Sequence, residues 1–430
     1  MSERIVVVGG GAGGLELVVK LARRLRREPD VEVVLIDKNP THIWKPLFHE
    51  VATGSLNSYH DEASYRMLAR KHGFAFTLGR VTDVDLDARR LSLSAVDDEA
   101  GVPMVPERTL DYDSLVVAVG SLSNDFGIEG VADFSRALDS REEAERFHRL
   151  FTAQVHRVNS NLDDDSLLSI VIVGGGATGV ELAADMHSVV RRLRELGFPK
   201  LSIDRLKVSV IEAAPGLLPR LPERIGASVA EELGKIGVDV RLNTQVSRVE
   251  RDRVHTADGQ SLPADISVWA AGVRAPRFLA EAGFPTDRLG RIEVERDLSV
   301  RGRPEVFAIG DCCSFRSEDG TEVPPRAQAA HQMASIAARN VLWRRTGRHT
   351  RPFVYKDFGS LINLSRYSTV GNLMGNLTRG TVFIEGWLAR HVYLSLYRMH
   401  QSAVFGPVST LLIILGDRIY KATRAEVKLH

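Results

Sequence analysis

Two glycine-rich segments of the chain are nearly identical, and each has the spacing of a nucleotide-binding loop. VVVGGGAGGLEL occupies 6–17, VIVGGGATGVEL occupies 171–182, and both contain G-x-G-x-x-G. In this spacing the first glycine permits a tight turn, the second lets the backbone approach a pyrophosphate, and the third allows the helix to pack on the strand. The helix then directs its positive end at the phosphates. We predict one dinucleotide at each loop, with a duplicated structural repeat as the alternative.

The first loop belongs to a predicted βαβ unit. Its parts are a buried strand at 4–8, a helix at 14–27 and a second strand at 31–37. Asp37 ends the second strand, where its carboxylate would accept hydrogen bonds from a ribose diol, and an ordinary surface carboxylate is the alternative. The predicted contacts at this loop are Gly9, Gly11, Ala12, Gly14, Asp37 and Lys38.

The second loop opens a second βαβ unit, with a strand at 168–173, a helix at 178–196 and a strand at 206–212. Glu212 ends the last strand and has no arginine next to it. An acidic residue at this position favours NADH over NADPH, unless Arg220 or Arg224 folds back toward it. The predicted contacts at this loop are Gly174, Gly176, Gly179 and Glu212.

Glu181 follows the second loop directly, and we place it in the first turn of its helix. A carboxylate there can simply neutralise the positive end of the helix. The functional alternative is a catalytic role, either as a contact to the nicotinamide carboxamide or as a proton relay.

Composition restricts the class of protein. The chain has 430 residues, of which 44% are hydrophobic and 26% are charged, enough for two to four globular domains. The formal net charge is +1, so no overall field would attract nucleic acid. The N-terminal MSERIVVV does not resemble a secretion signal, and the longest apolar stretch, 409–416, is shorter than the ~20 residues of a membrane-spanning helix. We expect a protein of the reducing cytoplasm that does not cross the bilayer.

The two loops, together with AVGS at 118–121, AAG at 270–272 and AIGD at 308–311, resemble the two-dinucleotide-binding-domain flavoproteins. The resemblance implies FAD at the first loop and NADH at the second. It also implies that Asp311 touches the ribityl or pyrophosphate part of FAD, and it adds Gly120 and Gly272 to the binding residues.

Thiol-using members of that superfamily carry a CxxxxC pair where this chain has HIWKPLFHEVATGS, at 42–55. Its two cysteines, Cys312 and Cys313, are adjacent, and a disulfide between neighbours would be strained. We therefore expect them to pack beside the flavin, and we expect no metal site.

HIWKPLFHEVATG, NLMGNLTRG at 372–380 and VPPRAQAAHQMA at 323–334 are similar to segments of the type II NADH:quinone oxidoreductases, and the likeness extends over essentially the whole chain. It implies that the AQxAxQ motif (Ala327, Gln328, Ala330, Gln332) forms the quinone site. Gln328 and Gln332 share one helix face and suit the carbonyl groups of a quinone. Alternatively, the helix N-terminus merely stabilises negative charge on the reduced flavin. His331 is turned away from this face by about 100°, so it is less suited than the glutamines to act on the quinone as a proton donor.

The C-terminal region has the pattern of a membrane-surface anchor. Apolar and aromatic residues follow helical spacing, and FGPVSTLLIILG comes next. A basic stripe follows. A dimer interface with a solvated basic edge is the alternative. The residues concerned are Trp387, Leu388, Val392, Tyr393, Leu396, Tyr397 and Met399, and the cations Arg418, Lys421, Arg424 and Lys428.

The predicted fold is α/β, with two Rossmann-like domains and a C-terminal membrane-interface region. We assign 1–117 and 291–345 to the FAD domain, 118–290 to the NADH domain and 346–430 to the C-terminal region, with a polar hinge at about 153–165. The predicted function is NADH oxidation with quinone reduction, without proton pumping, by a peripheral enzyme, either monomeric or homodimeric, on the cytoplasmic face of the cell membrane. The alternatives are a sulfide:quinone reductase and an NADH-sensing flavoprotein that signals to a protein partner.

Overall fold

The structure is a computed structural model that describes residues 3–56, 62–98, 101–160, 167–364, 368–373 and 382–423. Within these ranges, none of the helices is both long and apolar enough to span a bilayer. Two largely parallel sheets form the body of the molecule, and each has one glycine loop at the carboxyl end of a central strand. The predicted α/β class with two dinucleotide-binding units is therefore confirmed.

The first sheet draws its strands from both ends of the sequence. Glu3–Val8 lies between Ser114–Val117 and Val31–Asp37, and all three are parallel. The hydrophobic residues of Glu3–Val8 are buried, as expected for a parallel strand covered on both faces. The strand order is Ser299–Val300, Arg303–Ala308, Ser114–Val117, Glu3–Val8, Val31–Asp37 and Ala75–Leu78.

The helix that follows the first loop, Ala12–Leu25, packs against Ala327–Arg345, which we call the glutamine helix. Alanines make up much of the buried face of the glutamine helix, so the two helices approach closely. This contact brings the AQxAxQ motif next to the first glycine loop, although more than 300 residues separate them in the sequence.

The second sheet is parallel throughout, in the order Ser135–Arg136, Ile266–Trp269, Leu168–Val173, Leu206–Ile211 and Asp239–Arg241. Its covering helices are Arg141–Ser160, Ala177–Glu195 and Glu223–Lys235. The helix after the second loop is almost continuously buried from Gly179 to Val190, because it lies between the sheet and neighbouring helices.

The described residues also form smaller sheets, which are antiparallel except for the parallel pair of Ile292–Glu293 with Cys313–Ser314. Three-stranded sheets are formed by Val81–Asp85, Arg90–Leu93 and Arg108–Asp111, by Val246–Val249, Arg253–Thr256 and Ser261–Pro263, and by Ser360–Leu364, Ser368–Leu373 and Val382–Glu385. Two-stranded ribbons pair Thr41–His42 with Ala63–Ser64, Val96–Asp97 with Pro103–Val105, Leu122–Ser123 with Val273–Arg274, and Ile292–Glu293 with Cys313–Ser314. The remaining helices are Phe48–Thr53, Tyr65–His72, Val131–Phe134, Phe278–Glu281, Gly386–Phe405 and Pro407–Thr423, with 3₁₀ turns at Lys45–Leu47, Ile203–Arg205 and Gly310–Cys312.

The predicted polar hinge is wrong for its first half. Residues 153–160 form the end of the helix Arg141–Ser160, and the rest of the predicted hinge, 161–165, lies outside the described residues. Val155 and Val158 are buried on the same face as Phe147 and Phe151. The helical spacing of these apolar residues indicates that the helix continues, and the polar residues between them lie on its solvent-facing side.

The C-terminal region contains two consecutive helices, Gly386–Phe405 and Pro407–Thr423, as the helical spacing predicts. They separate at Gly406, whose φ of +87° lies in the left-handed region, and at Pro407, which begins the second helix. Outside the described part of the chain are Arg424 and Lys428, and the side chains of Trp387, Leu388, Val392, Tyr393, Leu396 and Lys421.

Candidate functional site

One large cavity of about 1220 Å³ runs between the two sheets. Both glycine loops open on it, and so does the first turn of the glutamine helix. The predicted site residues that line it are Gly9, Gly11, Ala12, Gly14, Asp37, Lys38, Gly120, Gly174, Gly176, Glu181, Glu212, Gly272, Asp311, Ala327 and Gln328. Gly179 and Gln332 do not line it.

The first loop has the geometry that its glycines predict. Gly9 has φ of +98°, in the left-handed region. A Cβ on Gly14 would lie 1.9 Å from the carbonyl oxygen of Gly9, so any side chain there would separate helix from strand. A Cβ on Gly11 would meet no atom within 4 Å, because this glycine faces the open cavity. The loop therefore forms a cradle with space where a pyrophosphate is expected.

The second loop repeats this geometry. Gly174 has φ of +113°, and a Cβ on Gly179 would lie 2.1 Å from the carbonyl oxygen of Gly174. Gly179 is thus a packing residue, and it does not line the cavity. A Cβ on Gly176 would meet nothing within 4 Å, as at the corresponding glycine of the first loop. Both loops consequently have room for a phosphate group.

An acidic side chain holds each loop in place. Asp37 accepts hydrogen bonds from the backbone N–H groups of Gly10 at 2.6 Å and Asn39 at 2.8 Å. Glu212 accepts the equivalent bonds from Gly175 at 2.7 Å and Ala214 at 2.8 Å. The two carboxylates line the cavity as well. Each therefore stabilises its loop and presents acceptor oxygens at the position where the motif places a ribose.

Glu181 lies between the two nucleotide loops and the C-terminal sheet. It is the fifth residue of the helix Ala177–Glu195, past the first turn in which the sequence placed it. Its Oε1 accepts a 3.0 Å hydrogen bond from the N–H of Asn363, and its Oε2 lies 3.8 Å from Nδ1 of His49. Burial raises the pKa of Glu181 to about 8, which suits an exchangeable proton near neutral pH.

The two glutamines of the AQxAxQ motif have different surroundings. Gln328 lines the cavity, and its Oε1 accepts a 2.8 Å hydrogen bond from the hydroxyl of Tyr355. Gln332 instead uses both polar atoms of its amide on the backbone of Lys356, donating to the carbonyl at 2.8 Å and accepting from the N–H at 3.0 Å. The structure therefore brings Gln328 to the cavity and leaves Gln332 outside it.

The site also contains three histidines to which sequence reasoning assigned a minor role or none. His331 lines the cavity, with its Nδ1 at 2.5 Å from Oε2 of the buried Glu16. His42 and His400 also line it, and their Nε2 atoms are 3.0 Å apart. Burial lowers the pKa of His42 to about 4 and that of His400 to about 3, so both rings are neutral at pH 7. Because His42 and His400 are 358 residues apart, no local pattern reveals this pair.

Tyr65 is a further residue that sequence reasoning missed. Its hydroxyl donates a 2.7 Å hydrogen bond to the carbonyl of Gly10, and the buried ring fills the space beside that glycine. Tyr65 thus supports the first loop from behind.

The cysteines have no partner suited to redox chemistry. Cys312 and Cys313 are buried and unpaired, and burial raises the pKa of the Cys312 thiol to about 12. Sγ of Cys312 donates to the carbonyl of Ile309 at 3.3 Å. Next to them, Asp311 accepts a 2.9 Å hydrogen bond from the Ser121 hydroxyl and faces the cavity.

Comparisons with known proteins agree with this geometry. The profile of the pyridine nucleotide-disulphide oxidoreductase family matches residues 3–334. A type II NADH:quinone oxidoreductase from Haemophilus influenzae is 38% identical, over 100% of both chains. The chain belongs to the type II NADH:quinone oxidoreductases. The resemblance noted from the sequence is confirmed, and with it the assignment of FAD as cofactor and NADH as substrate.

Two solved structures have the same fold. NDH2 from Plasmodium falciparum in complex with NADH has a TM-score of 0.81 at 18% identity and covers 100% of both chains. The sulfide:quinone oxidoreductase from Aquifex aeolicus has a TM-score of 0.71 at 18% identity, covering 95% of this chain and 93% of its own. The fold alone therefore does not separate these two activities.

Proposed function

We propose that this chain oxidises NADH and reduces a quinone, either ubiquinone or menaquinone, with FAD as its cofactor and without pumping protons. The observation that carries the proposal is the continuity of the cavity. Both glycine loops, Glu181 and Gln328 border the same space, so two nucleotides and a flat electron acceptor have access to one centre.

The arrangement of the cavity supports a division of the binding residues. FAD is assigned to Gly9, Gly11, Ala12, Gly14, Asp37, Lys38, Gly120, Asp311, Ala327 and Gln328. NADH is assigned to Gly174, Gly176, Glu181, Glu212 and Gly272, with Gly179 packing the loop helix against its strand. We further propose that 1–117 and 291–345 form the FAD domain and that 118–290 forms the NADH domain with its flanking connections, and the strand membership of the two sheets supports this division. Residues 346–430 form the C-terminal region.

When bound, FAD supplies the two-electron chemistry that links NADH to quinone. The protein contributes binding, orientation and protons. The Oε1 of Gln328 accepts from Tyr355, whereas its Nε2 has no partner among the described residues, and this donor suits a quinone carbonyl. Glu181, with a pKa near 8, can hold or release a proton at the nicotinamide side.

Stepwise reduction of the purified protein tests the function. Anaerobic NADH should bleach the flavin absorption, and a short-chain quinone should restore it, while NADPH should act much more slowly because of the Glu212 carboxylate. A protein without bound flavin, or a reduced flavin that quinone does not reoxidise, would contradict the proposal.

The same assay with added sulfide separates the rival activities. A sulfide:quinone reductase of this fold needs separated cysteines, whereas the chain has only the adjacent Cys312 and Cys313. We expect no sulfide-driven reduction. An NADH-sensing protein would bind both nucleotides but turn over quinone only slowly.

The terminal helix Pro407–Thr423 supports membrane-surface binding. Its apolar residues are unusually exposed, with 73% for Val408, 64% for Leu412 and 68% for Ile419, and Leu411 and Leu415 lie on the same side. Arg418 is exposed beside them. We propose that this face binds an anionic lipid surface, which places the enzyme peripherally on the cytoplasmic side of the cell membrane, where NADH is available.

Vesicle sedimentation tests the membrane proposal. Leu411→Glu combined with Leu415→Glu should release the enzyme from vesicles that contain phosphatidylglycerol, with turnover of a water-soluble quinone retained. Met104→Glu, at a 62% exposed position of the ribbon Pro103–Val105, is the matched control and should leave binding unchanged. If the double variant still sedimented but became monomeric, the face would be a homodimer interface instead.

A further inference from the structure

An extended segment, Arg351–Phe358, crosses the surface of the glutamine helix, and we call it the strap. Side-chain amides of the helix hold it by its backbone. Asn340 donates to the carbonyl of Arg351 at 2.8 Å and accepts from its N–H at 3.0 Å. Gln332 makes the same pair of bonds with Lys356, at 2.8 and 3.0 Å. The helix therefore binds the strap much as a neighbouring strand would.

Other polar contacts also hold the middle of the strap: the Phe353 N–H donates to the Arg296 carbonyl at 2.7 Å, and the Tyr355 hydroxyl donates to Gln328. Phe353 is buried against Phe315, but Val354 is 67% exposed, Phe358 is 44% exposed and Lys356 is exposed. Weakly buried backbone of this kind opens easily unless hydrogen bonds hold it. The two bonds from Gln332 add to these contacts at Lys356, whose side chain is exposed.

The strap continues directly into the cavity wall. Gly359, Leu361 and Ile362 line the cavity, and the next residue, Asn363, donates its N–H to Glu181. Gln328 also contacts this end of the strap, through a 3.4 Å bond from the N–H of Phe358. The wall belongs to the strand Ser360–Leu364, which pairs with Ser368–Leu373 and buries Ile362. The strap and the bond to Glu181 are attachments additional to that pairing.

We propose that Gln332 is a positioning residue for quinone reduction, which acts through the strap on the wall at Leu361 and Ile362 and does not touch the quinone. The inference rests on the proposed function. It explains why both polar atoms of the Gln332 amide bind the backbone of Lys356, and why Gln332 does not line the cavity. The neighbouring Gln328 faces the cavity and is the substrate-side member of the motif.

A double-mutant cycle in the FAD-loaded full-length enzyme separates positioning from direct contact. Gln332→Met keeps the length of the side chain and its helix propensity but removes both hydrogen bonds. Lys356→Pro removes the N–H on the strap side, and Lys356→Ala is the matched control because it keeps the backbone groups. The measurements are kcat and KM for a water-soluble quinone, the rate of flavin bleaching by NADH, and hydrogen exchange of peptides from 351–358.

Positioning through the strap predicts a specific pattern. Gln332→Met and Lys356→Pro should each raise the KM for quinone about tenfold and speed exchange in the strap about tenfold, since each loses about 1 kcal/mol or more of hydrogen bonding. Flavin bleaching by NADH should be unchanged, and Lys356→Ala should behave as the parent. The double variant should be no worse than either single variant, because both break one connection.

Other outcomes overturn the inference. Multiplicative effects in the double variant, or a normal KM in Lys356→Pro, would show that Gln332 contacts the quinone directly. If Lys356→Pro does not fold, hydrogen exchange of the strap in Gln332→Met is the deciding measurement. A raised KM for quinone in that variant, with unchanged hydrogen exchange in the strap, would refute positioning. Failure of the parent enzyme to reduce quinone would instead refute the proposed function, while the exchange comparison would still test the strap.

Discussion

The Oε1 atom of Glu181 accepts a 3.0 Å hydrogen bond from the backbone N–H of Asn363. This bond joins the helix after the second glycine loop to the strand Ser360–Leu364. Burial raises the pKa of Glu181, and the Asn363 N–H opposes that shift by favouring the carboxylate. The charge on Glu181 therefore changes near pH 8, at a point of contact between the NADH side of the cavity and its C-terminal wall.

We predict that Glu181 makes folding stability depend on pH. Its pKa rises from 4.5 to about 8 on folding, so the folded state binds the proton more tightly than the unfolded chain. The resulting stability is fully present below pH 4.5, decreases as pH rises, and is lost above about pH 8. Between pH 6 and 9 the parent should lose more stability, on the order of a few kcal/mol, than Glu181→Gln. Thermal unfolding of both proteins at each pH measures this difference, and equal pH dependence would contradict it.

Two alanine substitutions within the first loop should affect different properties, one the stability of the protein and the other its binding of FAD. Gly14→Ala forces a Cβ against the carbonyl of Gly9 and should destabilise even the FAD-free protein by about 1 to 3 kcal/mol or more. Gly11→Ala meets no protein atom, and its φ of −62° suits alanine, so the FAD-free protein should unfold at its normal temperature. FAD binding should nevertheless weaken, because the methyl group occupies the pyrophosphate space. Normal FAD affinity in Gly11→Ala would place the pyrophosphate elsewhere.

The two acidic loop residues should affect different nucleotides. Asp37→Ala should purify with less FAD, since it removes the carboxylate that binds Gly10 and faces the ribose position. Glu212→Ala should retain FAD and raise the KM for NADH about tenfold, because a hydrogen bond to a charged group contributes roughly 1.5 to 3 kcal/mol. Flavin absorption and steady-state kinetics give both values. Full FAD occupancy in Asp37→Ala would exclude its assigned role.

Neither cysteine should be needed for turnover. Burial raises the pKa of both thiols, so almost no thiolate exists at pH 7. Iodoacetamide should leave NADH:quinone activity unchanged. The double variant Cys312→Ser, Cys313→Ala should retain activity within about twofold, since serine preserves the bond to the Ile309 carbonyl. Loss of activity on alkylation would show that a thiol takes part.

Local sequence determined the parts of the site that depend on backbone geometry. The strand Leu168–Val173 was predicted at its observed bounds, and the first loop helix begins within two residues of its predicted start. Glycines at this fixed spacing determine the conformation of the turn. Asp37 and Glu212 lie at the ends of strands, and the strands set their positions. These features involve neighbours in sequence or within one βαβ unit, so pattern alone was sufficient.

Tertiary structure decided which side chains face the cavity. Helical spacing placed Gln328 and Gln332 on one face, but only the packing of the strap showed that Gln332 binds the backbone of Lys356. The contacts of Glu16 with His331 and of His42 with His400 join distant parts of the chain. The raised pKa of Glu181 likewise depends on burial that its neighbours in sequence do not encode. Periodicity fixes the direction of a side chain on its own helix, whereas its partners are set by how helices, sheets and the strap assemble.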